Sequence, residues 1–83
     1  MDKVYIRITV PAIDETMDIS VSPELSIEEI LKTLIPAIVE NSRGRYVSSG
    51  KERLSWLDER KVLHHKYSLC DYRIGDGASL LLL

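Results

Sequence analysis

The hydrophobic period of this chain lengthens at Ser26, and that change limits the fold more than any other feature. In VYIRITV, Val4, Ile6, Ile8 and Val10 share one side of an extended segment, while Tyr5, Arg7 and Thr9 take the other. TMDISV repeats the alternation with Met17, Ile19 and Val21 inward. Pro11 cannot donate to a ladder and AIDET reads as a turn, so the two runs predict a hairpin. From Ser26 the period lengthens. Ile27, Ile30, Leu31, Leu34 and Ile38, flanked by Ile35 and Val39, recur at helical spacing as a broad apolar stripe. Ser26 and Glu29 have the S-x-x-E spacing of a capping box, and Glu28 and Glu29 sit where the helix dipole favours anions. Pro36 removes the amide that would bond the carbonyl of Lys32 and disfavours helical geometry at Ile35, so a kink or break is expected there.

Beyond the helix, NSRGRYVSSGKERLS is polar and reads as a long loop, with room for a short strand through Tyr46 and Val47. SWLDERKVLHH predicts two short strands around a turn at Asp58 to Lys61. SLCD has a second cap spacing, for a single helical turn over 68–72. GDG is a turn and ASLLLL the last strand. One substantial helix covering a mixed sheet of four or five strands is an α+β two-layer arrangement. Residues 1–83 make one domain, with the loop extended over about 42–55.

A chain of 83 residues buries only roughly 60% of its unfolded surface, so its core must be well patterned. At 45% hydrophobic and 29% charged, the composition is that of a globular protein and not of a disordered one. Cys70 is the single cysteine and can form no internal disulfide. It has no base beside it in SLCDY, which points to a structural thiol. No signal peptide opens the chain, and a reducing cytoplasm is the expected compartment. The four closing leucines cannot insert in a bilayer, which takes about 20 apolar residues.

No catalytic constellation is visible. GRYVSSGK misses the phosphate-loop spacing between Gly44 and Gly50, and Glu52 stands where Ser or Thr should follow Lys51. His64 and His65 are adjacent, so on an extended segment they point apart and read as a solvated pair rather than metal ligands. No cofactor, metal or small-molecule substrate is implied. Charge is asymmetric: residues 1–42 carry −5, residues 43–67 carry +4. The basic segment 43–67, interleaved with Tyr46, Trp56 and Tyr67, offers an alternative function as a nucleic-acid or regulatory binder, although the chain as a whole is acidic at −2.

Two stretches resemble ubiquitin. VSPELSIEEILKTL resembles its strand end, proline, Ser/Thr cap and Ile-Glu helix opening, and LSWLDERKVLHHKYSLCDYRI resembles, without a gap, its segment ending in Leu-x-Asp-Tyr-x-Ile. The resemblance covers most of the chain and implies a ubiquitin-like β-grasp. The close DYRIGDGASLLLL is similar to that of the YukD/EsaB-type bacterial ubiquitin-like proteins, small cytoplasmic accessories of type VII secretion. Pro36 and the Arg/Ser-rich loop depart from that pattern. The chain closes on Leu83 without the Gly-Gly tail of ubiquitin and the sulfur carriers, so neither conjugation nor sulfur transfer is expected.

The resemblance implies a non-enzymatic accessory or regulatory subunit. It would bind a cytosolic domain of a membrane-embedded secretion component, and so lie in the cytoplasm, peripheral to the inner face of the membrane. It also places Leu80 and Leu82 under the helix and Leu81 and Leu83 on the open face of the sheet, beside Leu57. Arg53, Arg60 and Lys66 would rim that apolar docking face. Whether loop 42–55 folds over these leucines stays open at the level of sequence.

Overall fold

Strand alternation sets the architecture. In the computed structural model, which describes residues 3–83, β1 (Val4–Val10) pairs antiparallel with β2 (Glu15–Val21) in unbroken register from Val4↔Val21 to Val10↔Glu15. A single 3-10 turn over Pro11–Ile13 joins them and ends at Asp14, whose φ of 52° lies in the left-handed region that Asp tolerates. α1 (Ile27–Asn41) crosses one face of the sheet, followed by β3 (Leu54–Trp56), β4 (Lys61–Val62), the single-turn helix α2 (Leu69–Tyr72) and β5 (Ala78–Leu82).

The strand order is β2-β1-β5-β3-β4. β5 lies parallel to β1 (Ile8↔Leu80) and antiparallel to β3 (Leu54↔Leu82), so the last strand fills the centre. Ile6, Ile8, Val10, Leu54, Leu80 and Leu82 form one side of the core, and Ile27, Ile30, Leu31, Leu34 and Ile38 of α1 form the other. The expected two-layer α+β arrangement with five strands is what forms.

Four local expectations need correction. The helix is one element through Pro36 and is not broken there, because the stripe from Ile27 to Ile38 is buried on both sides of the proline and Pro36 itself faces solvent. No strand passes through Tyr46 and Val47. Side chains hold that backbone instead, the amide of Tyr46 donating to Ser42 Oγ at 2.9 Å. Cys70 is exposed on α2 while its neighbour Leu69 takes the core position, so the thiol is no part of the packing. The two histidines are not a solvated pair: His64 is exposed, but His65 turns toward α1 and its Nε2 is buried. The carbonyl of His65 accepts the amide of Glu28 at 3.0 Å, which draws the segment onto the helix.

Candidate interaction face

α1 covers one side of the sheet and leaves the other open. On that open side, parity fixes which residues stand together. Thr9 and Thr16 face one another across β1 and β2, their hydroxyls 3.3 Å apart, and Arg7 pairs with Asp18 at 3.0 Å. The Asp18 carboxylate raises the pKa of the Arg7 guanidinium further. This half of the face is polar.

The other half is apolar. Leu81 lies beside Thr9 on one side and Ser55 on the other, and Ser55 in turn faces Val62. Leu80 and Leu82 are buried, so Leu81 and Leu83 project to the open side. Leu83 exchanges two backbone hydrogen bonds with Arg53, at 3.0 and 2.9 Å, which puts the Arg53 side chain next to it on the same face. The amide of Leu57 donates to the carbonyl of Ser79 at 2.9 Å and carries the strand 3–4 turn up against β5. The Asp58 carboxylate fastens the turn from above, accepting from Trp56 Nε1 and from the amide of Ser79, each at 3.2 Å. Arg60 closes that turn in a left-handed conformation with φ of 53°.

The structure therefore gathers Leu57, Leu81, Leu83 and Arg53 on one face, with Arg60 at its turn. Leu83 is 59% exposed and Leu57 43%. Lys66 is held elsewhere: its amide donates to His64 Nδ1, and the residues flanking it bond the first amides of α1. Val62, 54% exposed, belongs to the face although sequence reasoning did not select it. The signal was available, since Val62 alternates with the buried Leu63.

The loop after α1 lies on the helix side. Tyr46 joins the core, and Ser48, Gly50 and Glu52 form a groove with Leu31, Lys32 and Ile35 of α1. Inside the loop, Tyr46 Oη donates to Glu52 Oε2 at 2.9 Å, and the amide of Ser49 donates to the same oxygen at 3.1 Å. Burial, and after it the Glu52 carboxylate, pushes the Tyr46 phenol up to about 12. Burial also pushes the Glu52 carboxyl up, but the hydroxyls of Ser48 and Tyr46 and nearby amides outweigh it and hold its pKa below the ordinary carboxylate value. Closed on itself this way, the loop does not cover Leu83, and Leu81 stays half-buried.

Of the aromatics of segment 43–67, Tyr67 is 52% exposed and lies against the rings of His64 and Tyr72. Tyr46 is buried, and Trp56 is half-buried with its ring nitrogen bonded to Asp58. Arg45 is drawn into an ion pair with Glu15 at 3.0 Å. Among the described residues, no three His, Cys, Asp or Glu side chains converge as a metal site.

No family profile matches the sequence, and no curated protein matches it. Solved structures do match. The EccD5 ubiquitin-like domain from Mycobacterium xenopi superposes with a TM-score of 0.82 at 17% identity, over all of this chain and 94% of that one. The ubiquitin-like domain of the type VII secretion system protein EccD1 of Mycobacterium tuberculosis gives 0.76 at 15% identity, over all of this chain and 99% of its own. A chain of the MycP5-free ESX-5 inner membrane complex gives 0.81 at 13% identity, with this chain spanning 21% of it. The fold is the ubiquitin-like β-grasp. At these identities the likeness is one of fold. Within a ubiquitin-like β-grasp, the leucine strip occupies the open face of the sheet, opposite the helix.

Proposed function

We propose that this chain is a non-enzymatic protein-docking module, a ubiquitin-like accessory or regulatory subunit of a type VII-like secretion apparatus. The carrying observation is the apolar strip on the open face, where Leu57, Val62 and Leu83 are exposed and Leu81 is half-buried. Clustered exposed leucines with an arginine rim are a natural centre for an interface, because burying them removes apolar surface from water while the arginines supply directional contacts. Arg53 and Arg60 form the rim, and Lys66, on the segment bonded to the first turn of α1, lies outside it. The partner is a cytosolic domain of a membrane-embedded component. That choice is supported by the matched domains of a type VII secretion protein and an inner membrane complex. Among the described residues no helix is long and apolar enough to cross a membrane, so attachment would run through the partner. The module would then work in the cytoplasm, at the inner face of the membrane.

Capture from native membranes tests this, using the wild-type chain beside Leu57→Asp and Leu81→Asp variants. Recovery of one secretion-apparatus component by the wild type, lost in both folded variants, is the expected result. Equal recovery by all three would remove the leucine face as the site.

A further inference from the structure

Pro36 removes a hydrogen bond from α1 and leaves an acceptor behind. Having no amide, it gives nothing to the carbonyl of Lys32, one turn back in a helix that is otherwise continuous. That carbonyl points along the helix axis toward Pro36, and both residues line the groove of about 400 Å³ between α1 and the loop after it. A freed carbonyl is thus set into one wall of the groove.

Other polar groups without a counterpart stand around it. Glu28 precedes Lys32 by one turn, so Glu28, Lys32 and Pro36 form a single row along the groove. The ion pairs among the described residues are Arg7–Asp18 and Arg45–Glu15, and the half-buried Glu28 takes part in neither. Glu52 stands on the loop wall beside Gly50. Its partners, Tyr46 Oη and the amide of Ser49, are neutral donors that leave the charge of the carboxylate uncancelled. His65 also lines the groove, and its Nε2 is buried without a hydrogen-bond partner. Between these groups Leu31, Ile35 and the Pro36 ring form an apolar floor.

We propose that this groove receives an arginine side chain from a protein partner, at a site separate from the leucine face. The two carboxylates outnumber the single ammonium of Lys32, so the groove favours a cation. A guanidinium carries five N–H donors and no acceptor, which suits a lining of acceptors: the Lys32 carbonyl and Glu28 on one wall, Glu52 on the other. The aliphatic stem lies along Leu31, Ile35 and Pro36. Lysine fits less well, because its ammonium is a compact, strongly hydrated point charge that cannot serve both walls. A metal ion fits less well again, since among the described residues no three His, Cys, Asp or Glu side chains converge.

The test titrates the isotope-labelled full chain with the peptide VRV, acetylated and amidated, and follows its amide signals by NMR. The peptide VKV and a copy of VRV with citrulline, the uncharged isostere of arginine, serve as controls. VRV is expected to move the signals of Lys32, Ile35 and Gly50 with a Kd of about 1 mM, VKV to bind at least about threefold more weakly, and the citrulline peptide to leave them in place. Glu28→Gln and Pro36→Ala should each weaken VRV by about fivefold. Pro36→Ala does so without loss of stability, because it returns an amide to the Lys32 carbonyl and so withdraws the acceptor. Lys32→Ala should instead tighten VRV by about threefold, by removing the competing cation. The proposal is overturned if VRV at about 10 mM moves none of these signals, or if the citrulline peptide binds as well as VRV. It is equally overturned if neither Glu28→Gln nor Pro36→Ala weakens VRV, or if the signals move with protein concentration alone, which would place a second copy in the groove.

Discussion

The backbones of Ser26 and Ser68 form an isolated antiparallel bridge, and each serine caps its own helix. Ser26 Oγ accepts the amide of Glu29 at 3.1 Å, and Ser68 Oγ accepts the amide of Asp71 at the same distance. The carboxylates return the bond, Glu29 to the amide of Ser26 and Asp71 to that of Ser68. Around the bridge, the first amides of α1 donate to the carbonyls of Tyr67 and His65, and the amide of Cys70 donates to Pro23. Orphan groups at two helix starts are thus satisfied by one another's neighbourhood, which ties the hairpin side of the molecule to the α2 side.

Removing either cap should be felt globally. Ser26→Ala and Ser68→Ala are each expected to lower stability by about 1 kcal/mol, measured by urea unfolding. Because the two sites share a bridge, the double variant should depart from additivity. Strict additivity would show the two caps to be independent.

The Tyr46–Glu52 clasp predicts stability losses at both ends of the pH range. The Glu52 pKa is lowered in the folded state, so its contribution is complete above the unfolded value of about 4.3 and is lost as pH falls through the folded value. The Tyr46 pKa is raised to about 12, so its contribution is complete below the unfolded value of about 10 and is lost as pH rises from there to the folded value. Tyr46→Phe should cost about 1.5 kcal/mol at neutral pH and flatten the alkaline limb relative to wild type. Glu52→Gln should flatten the acid limb. Urea midpoints across pH for the three proteins check both. Unchanged limbs would mean the clasp is open in solution.

Pro36 withholds an amide from the carbonyl of Lys32 inside a continuous helix. Pro36→Ala should restore that bond and raise stability by about 2 kcal/mol, the interior proline penalty less the entropy proline removes from the unfolded chain. Thermal unfolding reads this directly. A loss of stability instead would show that the proline ring packs against the loop across the groove it shares with Ser48 and Gly50.

What was legible in the sequence follows from how far apart the deciding residues lie. The alternation of Val4 to Val10 and the Ser26–Glu29 box are settled within a few residues, and both stand in the structure. The course of the loop is not settled locally. Tyr46 and Val47 have strand propensity, but one is drawn into the core beside a buried carboxylate and the other is 80% exposed. Pro36 shows the same limit in reverse, since five buried aliphatic side chains along α1 override a local breaker. For the interaction face, parity divided the closing leucines into two pairs, and the resemblance assigned Leu81 and Leu83, with Leu57 beside them, to the open side. Lys66 went elsewhere because long-range bonds to α1, invisible in the local pattern, hold its segment.

The four closing leucines divide by parity, and substitution should divide them the same way. Leu80 and Leu82 are buried between β1, β3 and α1, so Leu80→Ala or Leu82→Ala leaves a cavity and should cost about 3 kcal/mol. Leu83 stands on the open face, where Leu83→Ser removes no packed neighbour and should change stability by less than about 0.5 kcal/mol. Leu81, partly covered between Thr9 and Ser55, should fall between the two. Urea unfolding of the four single variants gives the pattern. If Leu83→Ser proved as costly as Leu82→Ala, the open face would be covered in solution and the docking site would have to lie elsewhere. The expected ordering, with stability untouched at Leu83, leaves that residue's side chain free for a partner.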